Sequence, residues 1–407
     1  MTKADSGFSK RTAWDVGESE LSAGLRQARA QGRSLLDLTV SNPTACGFTY
    51  DAEAILAPLG NSAALHYDPD PRGMRSAREA VSRYYAEHDS TSALDPDAIV
   101  LTTSTSEAYS FLFRLLCDPG DEVLVAQPSY PLFDFLADLD DVRLKPYPLF
   151  YDFGWWIDFA ELERRIGPPT RAILVVHPNN PTGHWTHRPE RDRLEALCAA
   201  SGLSLIVDEV FLDYPLGDQP AAQSFVTGPH PALTFVLSGM SKIAALPQMK
   251  VSWIATLGPP ALRDEALSRL EVIADTFLSM SAPAQLALPE WLGARETLQR
   301  QIRTRTVANL QLLKELAGES QRQAGREQGI SLELLRVEAG WAAALRLRGW
   351  VGNTAAFDLL HNHGVVTHPG SFYGLADVRS LVVSLLTPVE VFRQGMDLIS
   401  TAGSPTK

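Results

Sequence analysis

Four clusters of polar residues stand beside apolar runs, where strands would end and side chains could meet a ligand. The first, His177-Pro178-Asn179-Asn180-Pro181-Thr182-Gly183, follows Ala172–Val176. The second, Asp208-Glu209, follows Leu203–Val207. The third, Ser238-Gly239-Met240-Ser241-Lys242, follows Thr234–Leu237. The fourth, Thr102-Thr103-Ser104-Thr105-Ser106-Glu107, opens a helical pattern.

Each cluster has a chemistry of its own. Lys242 lies among Gly239, Met240, Ile243, Ala244, Ala245 and Leu246. Burial in such surroundings disfavours the charged amine, lowers its pKa and makes it nucleophilic. Asp208 closes a fully apolar run, and a lone carboxylate there is costly to bury unless a cation meets it. A helix N-cap Asp is the alternative. Glu209 beside it is read as a structural cap or ion-pair partner. Ser104, Thr105 and Ser106 offer three hydroxyls, free backbone N–H groups and a positive dipole end. That set suits a phosphate, and it serves equally well as an ordinary Ser/Thr cap. Asn180 within N-P-T-G is also good turn chemistry.

A scaffold must hold these clusters together. Glu122–Ala126, Ala172–Val176, Leu203–Val207, Thr234–Leu237 and Val251–Leu257 read as buried strands, with helical patterns such as Glu107–Leu116 and Arg188–Ala200 between them. Helix after strand, repeated, predicts an α/β fold with a mostly parallel sheet covered on both faces. Beyond about Ser281 the texture changes to a long helical stretch, then strand-like Leu332–Val337, Ala342–Leu347 and Ser380–Leu386, with a last helix after Pro388. The expected organisation is a large domain over 46–283, plus a small α+β domain built from 1–45 and 284–407.

The chain has 407 residues, 45% hydrophobic and 21% charged, an ordinary globular composition of two or three domains. With 36 basic and 48 acidic residues the net charge is −12, which argues against nucleic acid or an anionic membrane as the main partner. It does not argue against a local basic pocket for one small anion. Cys46, Cys117 and Cys198 form no metal-clip spacing and fit a reducing compartment. The N-terminus has no apolar signal stretch, and no run could span a membrane, so a cytoplasmic location is expected. His361 and His363 are two apart on a helical end and do not face each other, so no metal site is expected.

In order along the chain, N-N-P-T-G, D-E at a strand end, and S-x-x-S-K resemble the fold-type-I pyridoxal-phosphate enzymes of the class I/II aminotransferase group. The intervals from Asn180 to Asp208 and from Asp208 to Lys242 fit as well, and the resemblance runs from about Leu36 to Leu386. It implies a seven-stranded-type sheet between helices, pyridoxal 5'-phosphate as cofactor, and Lys242 as the Schiff-base lysine and proton shuttle. Asp208 would hold the protonated pyridine nitrogen and Asn180 the ring 3-hydroxyl, while Tyr130 would stack on the ring. Ser104, Thr105, Ser106, Ser241 and Lys250 would hold the phosphate. Tyr67 would reach the phosphate of a neighbouring subunit, which implies a homodimer with shared sites.

Some positions depart from the family pattern. Phe211 replaces a tyrosine, Gly239 a Ser or Thr, and Lys250 an arginine. Val382 occupies the slot of the arginine that grips the substrate α-carboxylate. Arg379 is the nearby candidate to replace it, and His368 and Tyr373, in His368-Pro369-Gly370-Ser371-Phe372-Tyr373-Gly374, are candidate pocket residues. The implied activity is transfer of an amino group between an amino acid and a 2-oxo acid. A lyase, decarboxylase or racemase with the same cofactor is the alternative. A non-catalytic cofactor-binding regulator ranks last, because the N-terminal segment is short, acidic and without a helix-turn-helix pattern.

Overall fold

The structure is a computed structural model. It describes every residue except 1–6, 16, 93, 132, 218–222, 279, 325–330, 351–353 and 403–407. After the short β1 (Leu36–Asp37), eight strands form one sheet: β2 (Ile99–Thr102), β3 (Glu122–Gln127), β4 (Arg143–Tyr151), β5 (Trp155–Ile157), β6 (Thr170–Val176), β7 (Ser204–Asp208), β8 (Thr234–Gly239) and β9 (Ser252–Leu257). Their order is β2-β9-β8-β7-β6-β3-β4-β5. Neighbours from β4 through β3, β6 and β7 to β8 are parallel, whereas β9 is antiparallel to both β8 and β2.

The central strands are apolar along their whole length because both faces are covered. Ile173, Leu174, Leu205, Ile206, Phe235 and Val236 are fully buried. Each such side chain contributes about 1.5–3 kcal/mol through removal of its surface from water. Helices Arg75–His88, Thr105–Leu116, Arg188–Ser201 and Pro260–Phe277 contact the sheet's strands. Helix Arg188–Ser201 stops at Gly202, whose left-handed φ of 65° suits a residue without Cβ.

The sheet has eight strands where seven were expected. The addition, β5, folds back antiparallel on β4. Its three residues bury Trp155 and Ile157 and leave Trp156 outward, an alternation too short to read from sequence. β4 was also not anticipated. It carries Pro146 and Pro148, residues that argue against an interior strand.

A second sheet, wholly antiparallel, has the order β10 (Ser331–Leu334), β11 (Ala342–Arg348), β14 (Ser380–Ser384), β13 (His368–Pro369). The short β12 (Val365–Val366) pairs with β1, so the beginning and end of the chain meet. A separate apolar core gathers Leu38, Leu313, Leu345, Val383, Phe392 and Ile399. Helix Ala282–Ala294, which contains Pro289, still packs Ala287, Leu288 and Trp291 on the large core. The chain reaches the second core along helix Glu296–Ala324, through Leu310 and Leu313. Among the described residues no helix is long and apolar enough to cross a membrane.

Candidate active site

Backbone hydrogen bonds hold the ends of β6, β7 and β8 level. His177 N–H donates to Asp208 O at 2.8 Å, and Glu209 N–H to Leu237 O at 2.8 Å. The segments leaving those ends face a cavity of about 290 Å³ that gathers Ser104, Thr105, Ser106, Tyr130, Asn180, Asp208, Ser241, Lys242, Lys250, His368 and Tyr373.

Lys242 sits on a one-turn helix, Met240–Ile243. Distant elements fix its backbone: the Tyr214 hydroxyl donates to Lys242 O at 2.6 Å, the Gln299 amide to Ile243 O at 2.8 Å, and the Tyr50 hydroxyl to Ala245 O at 2.9 Å. The amine stands 5.0 Å from the ring centre of Trp341 and 5.6 Å from that of Phe211. Burial lowers its pKa, and the charge of Asp208 opposes that shift only in part. The glycine at 239 has a steric cause. A Cβ there would lie 2.1 Å from Ser252 Oγ and 2.8 Å from Val251 O.

Asp208 is buried, and both its oxygens accept. Oδ2 takes the Tyr109 hydroxyl at 2.7 Å and Oδ1 takes the Val210 N–H at 3.0 Å. Burial pushes its carboxyl above the usual range, against the Tyr109 and Val210 hydrogen bonds and the charge of Lys242. A carboxylate offers about four acceptor sites, so it keeps capacity for a cationic N–H facing the cavity. Glu209 turns away from the cavity and accepts from Ser224 Oγ at 2.7 Å and Phe225 N at 2.5 Å. Burial raises its pKa to about 7. Its place is structural, as its sequence context suggests.

Ser104 caps helix Thr105–Leu116, accepting Glu107 N–H at 3.1 Å, while Glu107 reaches back to Thr103 N at 2.7 Å. The cap role and the cavity role therefore coexist in one residue. Lys250, exposed and left-handed at φ 55°, follows the turn Pro247–Met249 on the cavity wall. The loop carrying Tyr130 is tied to the turn at Gly370–Tyr373 by a bond from Ser129 N to Tyr373 O of 3.0 Å. The Tyr373 hydroxyl and His368 Nδ1 are 3.1 Å apart.

Two candidates stand outside this cavity. Arg379 does not line it. Its guanidinium makes two 2.8 Å bonds to Asp377, with 42% of the side chain exposed. It lies three positions before Val382, and an odd step along extended chain reverses the face a side chain points to. Val382 itself does line the cavity, directly across from His368 in the β13–β14 pair. The slot expected to hold a cation is therefore apolar, and no arginine is among the described residues lining the cavity. Tyr67 is 78% exposed and borders a separate cleft with Leu101, Ala274, Leu278 and Gln285.

The cavity also includes Thr39, Ser41, Phe133 and Trp341, which the sequence motifs did not single out, together with Ser384, the serine of the late-strand motif. Thr39 and Ser41 arrive because Ser384 binds the segment after β1, with Ser384 N to Leu38 O at 2.7 Å and Ser384 Oγ to Val40 O at 2.6 Å. Such long-range pairing leaves no local signal. Trp341 ends the bend immediately before β11 and has no motif beyond its size.

The model for the family "Aminotransferase class I and II" matches residues 36–391. A glutamate–pyruvate aminotransferase of Haemophilus influenzae is 26% identical over 268 residues, 66% of this chain and 66% of its own. The match thus spans about two thirds of that relative's length. An arginine–pyruvate transaminase of Pseudomonas aeruginosa is 26% identical over 94% of this chain and 92% of its own. Among solved structures, an alanine aminotransferase of Pyrococcus furiosus superposes with a TM-score of 0.81 at 21% identity, covering 97% of this chain and 99% of that one. That likeness shows the fold.

Proposed function

The chain belongs to the class I and II aminotransferase family, and we propose that it moves an amino group between an amino acid and a 2-oxo acid with pyridoxal 5'-phosphate held at Lys242. The observation that carries this reading is the meeting of Lys242 and the buried Asp208 on one cavity, next to the start of a helix.

The donor set fits the cofactor. Asp208 keeps acceptor capacity for a ring N–H. The free N–H groups at the start of helix Thr105–Leu116, the hydroxyls of Ser104, Thr105, Ser106 and Ser241, and the Lys250 ammonium suit a phosphate. Asn180 would hold the ring hydroxyl and Tyr130 the ring face. When bound, the cofactor supplies an electron sink for the substrate's α-carbon. Lys242, its proton affinity lowered by burial, would take and return the proton at that carbon. Phe211 and Trp341 exclude water from one side of the amine.

Incubation of the purified protein with amino acids tests this reading. The expected result is loss of the visible cofactor absorbance with formation of a 2-oxo acid. Release of ammonia or carbon dioxide instead would point to a lyase or decarboxylase.

A homodimer is part of the proposal. Leu65 is 90% exposed beside the outward Tyr67, and Val272 and Leu278 are exposed nearby in sequence to Ala274 of the same cleft. A second copy would cover this surface, and sedimentation at micromolar concentration would detect it. We also propose the division into a large unit over 46–283 and a small one from 1–45 and 284–407; the separate core around Leu345 and Phe392 supports a second unit, while helix Ala282–Ala294 packs on the large core. Three cysteines without disulfide partners fit the proposed cytoplasmic location.

A further inference from the structure

We propose that His184, His187 and Glu338 form a site for one divalent cation of the zinc class, outside the cavity around Lys242. One ligand atom from each residue lies within 4.8 Å of the other two. His184 Nδ1 is 3.7 Å, and His187 Nε2 3.3 Å, from Glu338 Oε2. A tetrahedral ion with bonds of about 2.1 Å spaces its ligand atoms at roughly 3.4 Å, so small side-chain adjustments close the set.

The second observation is the state of His184. It is 3% exposed, yet its Nδ1, the ring nitrogen toward Glu338, has no hydrogen-bond partner. A protonated ring bridging two carboxylates would use both N–H groups, but 3.7 Å from Nδ1 to Glu338 is too long for a hydrogen bond. An ion between them fills that gap. On the far side of the ring, Nε2 lies 3.0 Å from Glu190 Oε2. Glu190 is itself fixed by the N–H groups of Ile157 at 2.8 Å and His187 at 3.0 Å. A carboxylate behind a ligating histidine sets the tautomer and raises ligand basicity.

Charge and access agree. Glu190 and Glu338 bring two negative charges, with Arg336 on Glu338 Oε1 at 3.0 Å as the nearby cation. The His187 side chain is 35% exposed and leaves an entry path. Two imidazole nitrogens and one carboxylate favour zinc over magnesium or calcium, which take oxygen ligands. The ion would join the loop after Asn180 to the segment before Trp341. Those segments already touch, with Glu338 N–H donating to Gly183 O at 3.1 Å.

The test uses the untagged full chain, treated with chelator, dialysed, and equilibrated with Zn²⁺ alone or Mg²⁺ alone. Bound metal is read by mass spectrometry and the thermal midpoint by calorimetry. The wild-type chain should retain about one zinc per chain above the variants, with a raised midpoint and no response to magnesium. His187→Asn places a favourable N-cap residue before helix Arg188–Ser201 and should lose that zinc and the shift. Glu338→Gln, which keeps the side-chain size, should do the same. No zinc retained by the wild type, or equal retention by a folded His187→Asn, would overturn the proposal.

Discussion

Tyr109 donates its hydroxyl to Asp208 Oδ2 at 2.7 Å, which ties the helix that starts beside Ser104 to the end of β7. The bond crosses a fully buried region and favours the ionised carboxylate against the cost of burial. A bond of this kind to a charged group is worth about 1.5–3 kcal/mol.

Tyr109→Phe should therefore raise the Asp208 pKa further while leaving the fold intact. Catalysis that needs ionised Asp208 is lost as pH falls through that pKa. The acid limb of the kcat profile should then move to higher pH in the variant. An unmoved limb would remove this bond from the account. Asp208→Ala should cripple turnover by several orders of magnitude with circular dichroism unchanged.

Gly239→Ala should destabilise the chain by about 1–3 kcal/mol, because the added Cβ meets Ser252. Ser252→Gly in the same chain should recover part of the loss by removing Oγ and Cβ, while the contact with Val251 O persists. Denaturant titration of the single and double variants measures both effects. A neutral Gly239→Ala would contradict the steric reading of that glycine.

Arg379→Ala should leave KM for the amino donor nearly unchanged, since its guanidinium lies outside the cavity and pairs with Asp377. His368, which lies on the cavity wall opposite Val382, is the better position to perturb. His368→Ala should raise KM more than Arg379→Ala does. The reverse order would return Arg379 to the substrate site.

The parts of the site that lie on one strand and its following loop were legible in the sequence. Asp208 at the end of β7, Asn180 after β6 and Lys242 after β8 each follow an apolar run whose end the parallel sheet aligns. The parts brought in by pairing between distant segments were not. Thr39 and Ser41 depend on Ser384, and Trp341 on the segment that leads into β11 of the second sheet. Arg379 was misplaced for a related reason. Proximity in sequence to Val382 said nothing about which face of the strand it would occupy. In the fold, β5 was hidden by its three-residue length and β4 by its prolines.

Lys242 is the residue on which the proposed cofactor attachment rests. Borohydride reduction of the protein loaded with pyridoxal phosphate, followed by peptide mass spectrometry, reads this directly. The label should fall on the peptide containing Lys242, and Lys242→Ala should lose both the label and the visible absorbance. A label on Lys250 or another lysine, or a wild-type chain that takes none, would contradict it.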